Sequence, residues 1–306
     1  MRMFFKGLQT AMIELKIGTR GSDLARFQAN LVKQKLAEIG LESQIVIIRT
    51  KGDEVQNSSL QSLGTGIFTK ALDDALINGT IDVAIHSMKD VPTVLFPSLC
   101  EFAVLERGDD GDVLVVNDPS SHLVATGSIR RKAQWLRRYP NDVVADLRGN
   151  VETRIEKVKR SNWKGGIFAK AGLVRLNRHL DLDESMDLDW MIPAPAQGAI
   201  VVIGRSGERT LQEQVYQLNH HESSLAVAIE RTFLNTLEGG CAAPIGARAV
   251  VSGNHVKFVG CLTAPDGQKE ARIERESMDG SPELGAMWAD QLLDEGGREI
   301  MRLLQN

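Results

Sequence analysis

The chain has 306 residues, 42% of them hydrophobic and 25% charged, which is enough for two or three domains with cores of their own. Three cysteines, Cys100, Cys241 and Cys261, are too few and too scattered for a disulfide framework or a zinc site with paired ligand spacing, so any cysteine chemistry is that of a reduced thiol. A formal charge of −4 gives no reason to expect nucleic acid or an acidic membrane surface as partner, the apolar run within residues 1–7 is too short for a signal peptide, and no stretch approaches the roughly 20 apolar residues of a membrane span, so a cytoplasmic address is expected.

In chain order, Ile13 to Ile17 reads as a strand, and Ser22 as the cap of a helix whose apolar positions Leu24, Phe27, Leu31, Val32, Leu36 and Ile39 keep to one face and which stops at Gly40. A strand at Gln44 to Ile48, a helix from about Phe68 to Ile77 and a strand at Asp82 to His86 complete one βαβαβ set, with Ser87-Met88-Lys89-Asp90 at its exit. A second set begins with the strand Val113 to Val116. It continues through Leu123 to Ala125, a helix opened by Gly127-Ser128, a strand at Val143 to Ala145, a helix Val151 to Lys159 capped by Asn150, and a strand at Gly166 to Ala169. Pro193 and Pro195 mark an extended crossover, after which Ala199 to Ile203 is apolar enough to be a buried strand rejoining the first sheet. The helical stretch Ser223 to Leu237 ends at Gly239-Gly240, two strands surround the turn Gly253-Asn254, and Leu284 to Leu304 reads as one amphipathic helix despite Gly296-Gly297. The expected domains are residues 1–108 with 204–221, residues 109–203, and residues 222–306.

Charge is unevenly spread: from Thr126 to Leu180 fourteen Lys or Arg stand against four Asp or Glu, so an anionic ligand is expected there. Arg130 and Arg131 follow Ser128 in the first turn of a helix, where the macrodipole disfavours cations and the free N–H groups and forked guanidinium geometry suit a carboxylate or phosphate. Arg148 and Arg154 around Asn150, and Arg20 before Ser22, repeat the arrangement; any one of these arginines by itself is equally a solvated surface charge. Asp90, with Lys89 beside it, lies just past a strand, where open α/β sheets bind ligands, although an Asp ahead of Pro92 is also a common turn residue. Cys241, on a loop with two glycines before it and Pro244 after, is presented for chemistry or is a small buried apolar residue. His220-His221 lacks a third ligand and the right spacing for a metal, and Gly64-Thr65-Gly66 lacks the lysine and spacing of a phosphate-binding loop.

Taken together, His86-Ser87-Met88-Lys89-Asp90-Val91-Pro92, Gly127-Ser128-Ile129-Arg130-Arg131, Leu147-Arg148-Gly149-Asn150-Val151 with Arg154, Ala171-Gly172-Leu173 with Arg175, Ala196-Gln197-Gly198-Ala199, Leu218-Asn219-His220-His221-Glu222 and Glu238-Gly239-Gly240-Cys241 resemble the porphobilinogen deaminase family over about residues 17–267. The resemblance implies an α/β fold of two periplasmic-binding-protein-like domains flanking a cleft, with a small α+β C-terminal domain that carries the cofactor cysteine. It implies a hydroxymethylbilane synthase that adds four porphobilinogen molecules to a dipyrromethane primer held by a thioether to Cys241. Asp90 matches the catalytic aspartate; Ser128, Arg130, Arg131 and Lys89 match positions that hold the primer; Arg20, Ser22, Arg148, Arg154 and Arg175 match positions around substrate and growing chain. A monomer with no metal, nucleic acid or membrane partner is expected. Gln61 and Thr65 are uncharged where lysines are common in bacterial members, and Lys164 stands where an acid is common. Two other readings fit parts of the pattern: a solute-binding module with two lobes and a cleft, and a paralogue with the same fold and low turnover.

Overall fold

The computed structural model describes residues 14–49, 69–178, 181, 183–237 and 243–305; Cys241, Gln61 and Thr65 lie outside the described residues. Along the first lobe come β1 (Leu15–Thr19), α1 (Asp23–Glu38), β2 (Ser43–Ile47), α2 (Lys70–Ile77), β3 (Val83–Ser87), a 3₁₀ turn at Met88–Asp90 and β4 (Leu99–Val104). The second lobe contains β5 (Asp112–Val116), β6 (Leu123–Ala125), α3 (Ile129–Arg138), β7 (Val143–Ala145), α4 (Val151–Lys159), β8 (Gly165–Ala169), α5 (Lys170–Arg175) and β9 (Ser185–Asp187). The chain then returns as β10 (Ile200–Arg205), followed by α6 (Arg209–Val215). The third domain is α7 (His221–Thr236), β11 (Ile245–Ser252), β12 (His255–Thr263), β13 (Glu270–Ser277), α8 (Leu284–Leu292) and α9 (Arg298–Gln305).

Both lobes carry a five-stranded sheet of one design. In the first the order is β2-β1-β3-β10-β4, in the second β7-β6-β8-β5-β9. Three parallel strands lie on one side, and the fourth position is filled by an antiparallel strand that the chain enters on crossing from the other lobe. The first sheet is covered on both faces, by α1 over Ile17, Val83 and Ile85 and by α2 over Ala84, Val201 and Ile203, which is why its strands are apolar runs rather than alternating patterns. β10 lies whole in this sheet, so the return into the first lobe precedes Ile200, not the expected boundary between residues 203 and 204. The two crossover segments touch where the Gly108 N–H donates to the Gly198 carbonyl at 3.2 Å. A Cβ on Gly198 would meet that neighbour's oxygen at 2.7 Å and its φ is +87°, so only glycine fits.

The third domain packs α7 and α8 on the antiparallel sheet β11-β12-β13 through Phe233, Phe258 and Trp288. One junction with the lobes is Glu230 of α7, fully buried, which accepts from Arg107 Nη1 and Nη2 at 2.6 and 3.1 Å and from the Ala196 and Ala249 N–H groups at 2.6 Å each. Those four bonds join both crossovers to the third sheet. The expected single terminal helix is two, because Gly296 takes φ +110° and breaks the run between α8 and α9.

Candidate active site

Neighbouring parallel strands deliver the first half of the site. β1 and β3 pair in register Ile17 with Val83 and Gly18 with Ala84, so their carboxyl ends put residues 20–22 beside residues 87–90. Arg20, Ser22, Gln28, His86, Ser87 and Asp90 line a cavity of about 70 Å³ there. Ser22 caps α1, accepting from the Ala25 N–H at 3.4 Å, and Gln28 Nε2 donates to Ser87 Oγ at 2.8 Å, tying the helix to the strand exit. His86 is buried beneath this cavity with its Nε2 lacking a hydrogen-bond partner; burial first, and then the nearby Arg20 cation, push its imidazole down to about 4. It is therefore neutral at physiological pH.

In the second lobe β6 is parallel to both β7 and β8, and each strand exits into the cap of a helix. Ser128 caps α3, accepting from the Arg131 N–H at 3.4 Å, and Asn150 caps α4, accepting from the Thr153 N–H at 2.8 Å. Both caps were expected. The arginines of α3 do not form an open anion site as the sequence suggested. Arg130 is 4% exposed and Arg131 6%, and both close on Asp112, the first residue of β5. Arg130 Nη2 reaches Asp112 Oδ2 at 2.7 Å and its Nη1 the Ile192 carbonyl at 2.6 Å; Arg131 donates from Nε and Nη2 to Asp112 Oδ1 at 3.1 and 2.7 Å and from Nη1 to the Ile167 carbonyl at 2.9 Å. Burial alone would raise the Asp112 carboxyl, but the two guanidiniums outweigh it and hold it at about 2. Cations that the helix dipole disfavours are thus accommodated by a buried counter-ion.

Gln197 joins the halves. Its Nε2 donates to Asp112 Oδ1 at 2.9 Å and to the Asp110 carbonyl at 2.8 Å, while its Oε1 accepts from Lys89 Nζ at 3.1 Å. Lys89 is exposed at the surface but crowded by protein groups, and that desolvation and then the Arg131 charge lower it to about 8, with Asp90 acting against them. Arg154, whose Nε donates to the Gly149 carbonyl at 2.6 Å, is brought down to about 10 by burial, then by Arg131, again with Asp90 opposing. Arg148 pairs with Asp146 at 2.8 Å and adds its field to Arg154. Arg175 stands apart at the crossover, its Nη2 donating to the Gly198 carbonyl at 2.5 Å. The geometry therefore gathers Lys89, Asp90, Arg131, Arg148 and Arg154, places Arg20 and Ser22 beside Asp90 on the first lobe, and sets Arg175 on the crossover between the lobes.

The profile of the porphobilinogen deaminase dipyromethane cofactor-binding domain matches residues 15–213, and that of the family's C-terminal domain matches residues 224–294. The chain belongs to the porphobilinogen deaminase family. It is similar to the porphobilinogen deaminase of Moorella thermoacetica, 40% identical over 95% of this chain and 96% of that one. It is also similar to the chloroplastic porphobilinogen deaminase of Pisum sativum, 40% identical over 94% of this chain and 83% of that one. Among solved structures the Bordetella pertussis BvgS periplasmic VFT2 domain matches at TM-score 0.40 and 15% identity, over 67% of this chain and 86% of that chain.

For a porphobilinogen deaminase, the donor set suits a polycarboxylate primer. Lys89 and Arg154 are each lowered by burial first and then by the Arg131 cation, and Arg130 Nε is buried without a hydrogen-bond partner, so an added carboxylate would meet favourable charge there. Asp112, Gln197 and His86 were not among the expected site residues. Asp112 carried no sequence signal beyond preceding the expected strand Val113 to Val116, and Gln197 and His86 read only as members of motifs. Among the described residues no cluster of His, Cys, Asp and Glu could hold a metal ion, and no helix is long and apolar enough to cross a membrane.

Proposed function

We propose that the chain is a hydroxymethylbilane synthase, a transferase that joins four porphobilinogen molecules on a dipyrromethane primer and releases the linear product by hydrolysis. The observation that carries this reading is one carboxylate, Asp90, set among cations from both lobes, its field acting on Lys89 and Arg154 while it lines the cavity with Arg20 and Ser22. Each porphobilinogen brings an acetate and a propionate, so six linked units, two of primer and four added, carry twelve carboxylates. When bound, dipyrromethane supplies an electron-rich pyrrole carbon on which the chain is extended.

The protein's own groups supply binding and charge stabilisation. Lys89 and Ser128 meet the primer's carboxylates, and Arg130 and Arg131, recessed on Asp112, add their positive charge behind them, while Gln197 ties Lys89 to that buried group. Arg20, Ser22, Arg148, Arg154 and Arg175 receive the carboxylates of incoming substrate and growing chain. Asp90 accepts from pyrrole N–H groups and stabilises the cation that develops on the substrate as ammonia leaves its aminomethyl group. Cys241 anchors the primer through a thioether, which requires a reduced thiol and so a reducing compartment, the cytoplasm. Within this reading the enzyme acts as a monomer. Asp90→Ala should keep the primer in the intact mass and lose about 10²–10⁴-fold in porphobilinogen consumption; near-normal turnover would overturn the role given to Asp90.

A further inference from the structure

The turn that carries Lys89 and Asp90 is held from the third domain. Arg231 of α7, 8% exposed, donates from Nη1 to the Val91 carbonyl at 2.9 Å and the Met88 carbonyl at 3.5 Å, and from Nη2 to the Pro92 carbonyl at 2.6 Å. One helical turn on, Asn235 Oδ1 accepts from Thr93 Oγ1 at 3.1 Å. One turn back, Val227 is packed in the cluster that contains Met88 and Val91. Positions 227, 231 and 235 share one face of α7 at i, i+4 spacing, and all three meet the segment 88–93. The opposite face, with Ala226, Ile229, Phe233 and Leu237, belongs to the core of the third domain.

A buried guanidinium is a costly way to join two domains. Arg231 has its charge depressed by burial, and its nearest carboxylate, Glu101, is 3.8 Å away. What the fork provides is direction: it fixes carbonyls on both sides of Asp90 at once, which a single-point donor cannot do. In sequence the same helix ends at Thr236, shortly before Cys241. We infer that Arg231, with Asn235, is a positioning clamp that sets Asp90 in register with the helix leading to the primer's anchor. The inference rests on the function proposed above and names a residue that the reaction needs without its touching substrate.

The test is steady-state kinetics of Arg231→Met well below its melting midpoint, alongside the wild-type chain and with intact masses recorded for both. A misplaced carboxylate costs transition-state stabilisation, so kcat should fall about tenfold or more while KM stays within about twofold and the primer mass is retained. Arg231→Lys, with one donor group in place of the fork, should recover only part of the loss. Asn235→Ala, at an exposed position that does not threaten folding, should lower kcat by about two- to threefold. Unchanged kcat in a folded Arg231→Met, or, should that variant not fold, in Asn235→Ala, overturns the clamp; so does a loss confined to KM. A wild-type chain without primer or turnover would instead overturn the functional reading itself.

Discussion

Replacing Asp112 with asparagine keeps the shape of the side chain and removes the one carboxylate between Arg130 and Arg131. The Asp112 carboxyl lies at about 2 against 3.8 when free, which corresponds to roughly 2 kcal/mol of stability at neutral pH. Removing one member of a buried ion pair costs about 3–5 kcal/mol, because the remaining charge is left in a poorly solvated site. With its contact to Gln197 retained, Asp112→Asn should sit at the low end, about 3 kcal/mol, or a melting midpoint lowered by roughly 5 °C in a chain of this size. The assay is thermal denaturation followed by circular dichroism at neutral pH, repeated at falling pH. A depressed carboxyl contributes stability that is fully present above its unfolded value and lost as pH falls from 3.8 through about 2, so the wild type should show this loss and the variant should not. An unchanged midpoint at neutral pH would refute the reasoning, since it would mean that the two arginines do not need the carboxylate.

Two further titrations follow from the site. His86 stays neutral until about pH 4 in the folded chain but takes up a proton near 6.5 when unfolded, so stability should fall by up to about 3 kcal/mol as pH drops from 6.5 to 4 and then level off from this source; His86→Gln should flatten that slope, and an identical slope in the variant would contradict the burial argument. Burial and then the Arg131 charge bring Lys89 to about 8 before any primer carboxylate, which would raise it, is beside it, so kcat/KM for porphobilinogen should decline only above pH 8; Lys89→Arg should carry the plateau to higher pH, and a decline unmoved by that substitution would assign the limb to another group.

The parts of the fold that were legible in the sequence are those where one local pattern decides the element. α1 and α4 begin at the caps expected from Ser22 and Asn150, and β11 and β12 flank the expected Gly253-Asn254 turn. What escaped reading was decided by distant partners. β13 alternates charged residues with only Ala271 and Ile273 facing the core, a pattern that makes sense only once β12 lies beside it. β10 reads as a buried strand, but its place between β3 and β4 is set by the crossover.

The site divides in the same way. Arg130 and Arg131 stood out because they oppose the dipole of α3, and that signal correctly pointed to negative charge nearby. The protein's own share of that charge is Asp112, 18 and 19 residues earlier in sequence and brought within reach because β5 pairs with β8 beside β6. Arg231 gave no sequence signal, because a cation in the middle of a helix reveals nothing about which carbonyls it will meet.

The central claim is that a primer built from substrate is anchored on Cys241 while Asp90 and the cations of the cleft act on it. Intact mass spectrometry of the purified chain tests this most directly. The account predicts an excess over the sequence mass equal to two linked pyrrole units, absent in Cys241→Ser. An unmodified wild-type mass from a host supplied with porphobilinogen, or an excess that survives in Cys241→Ser, would contradict it.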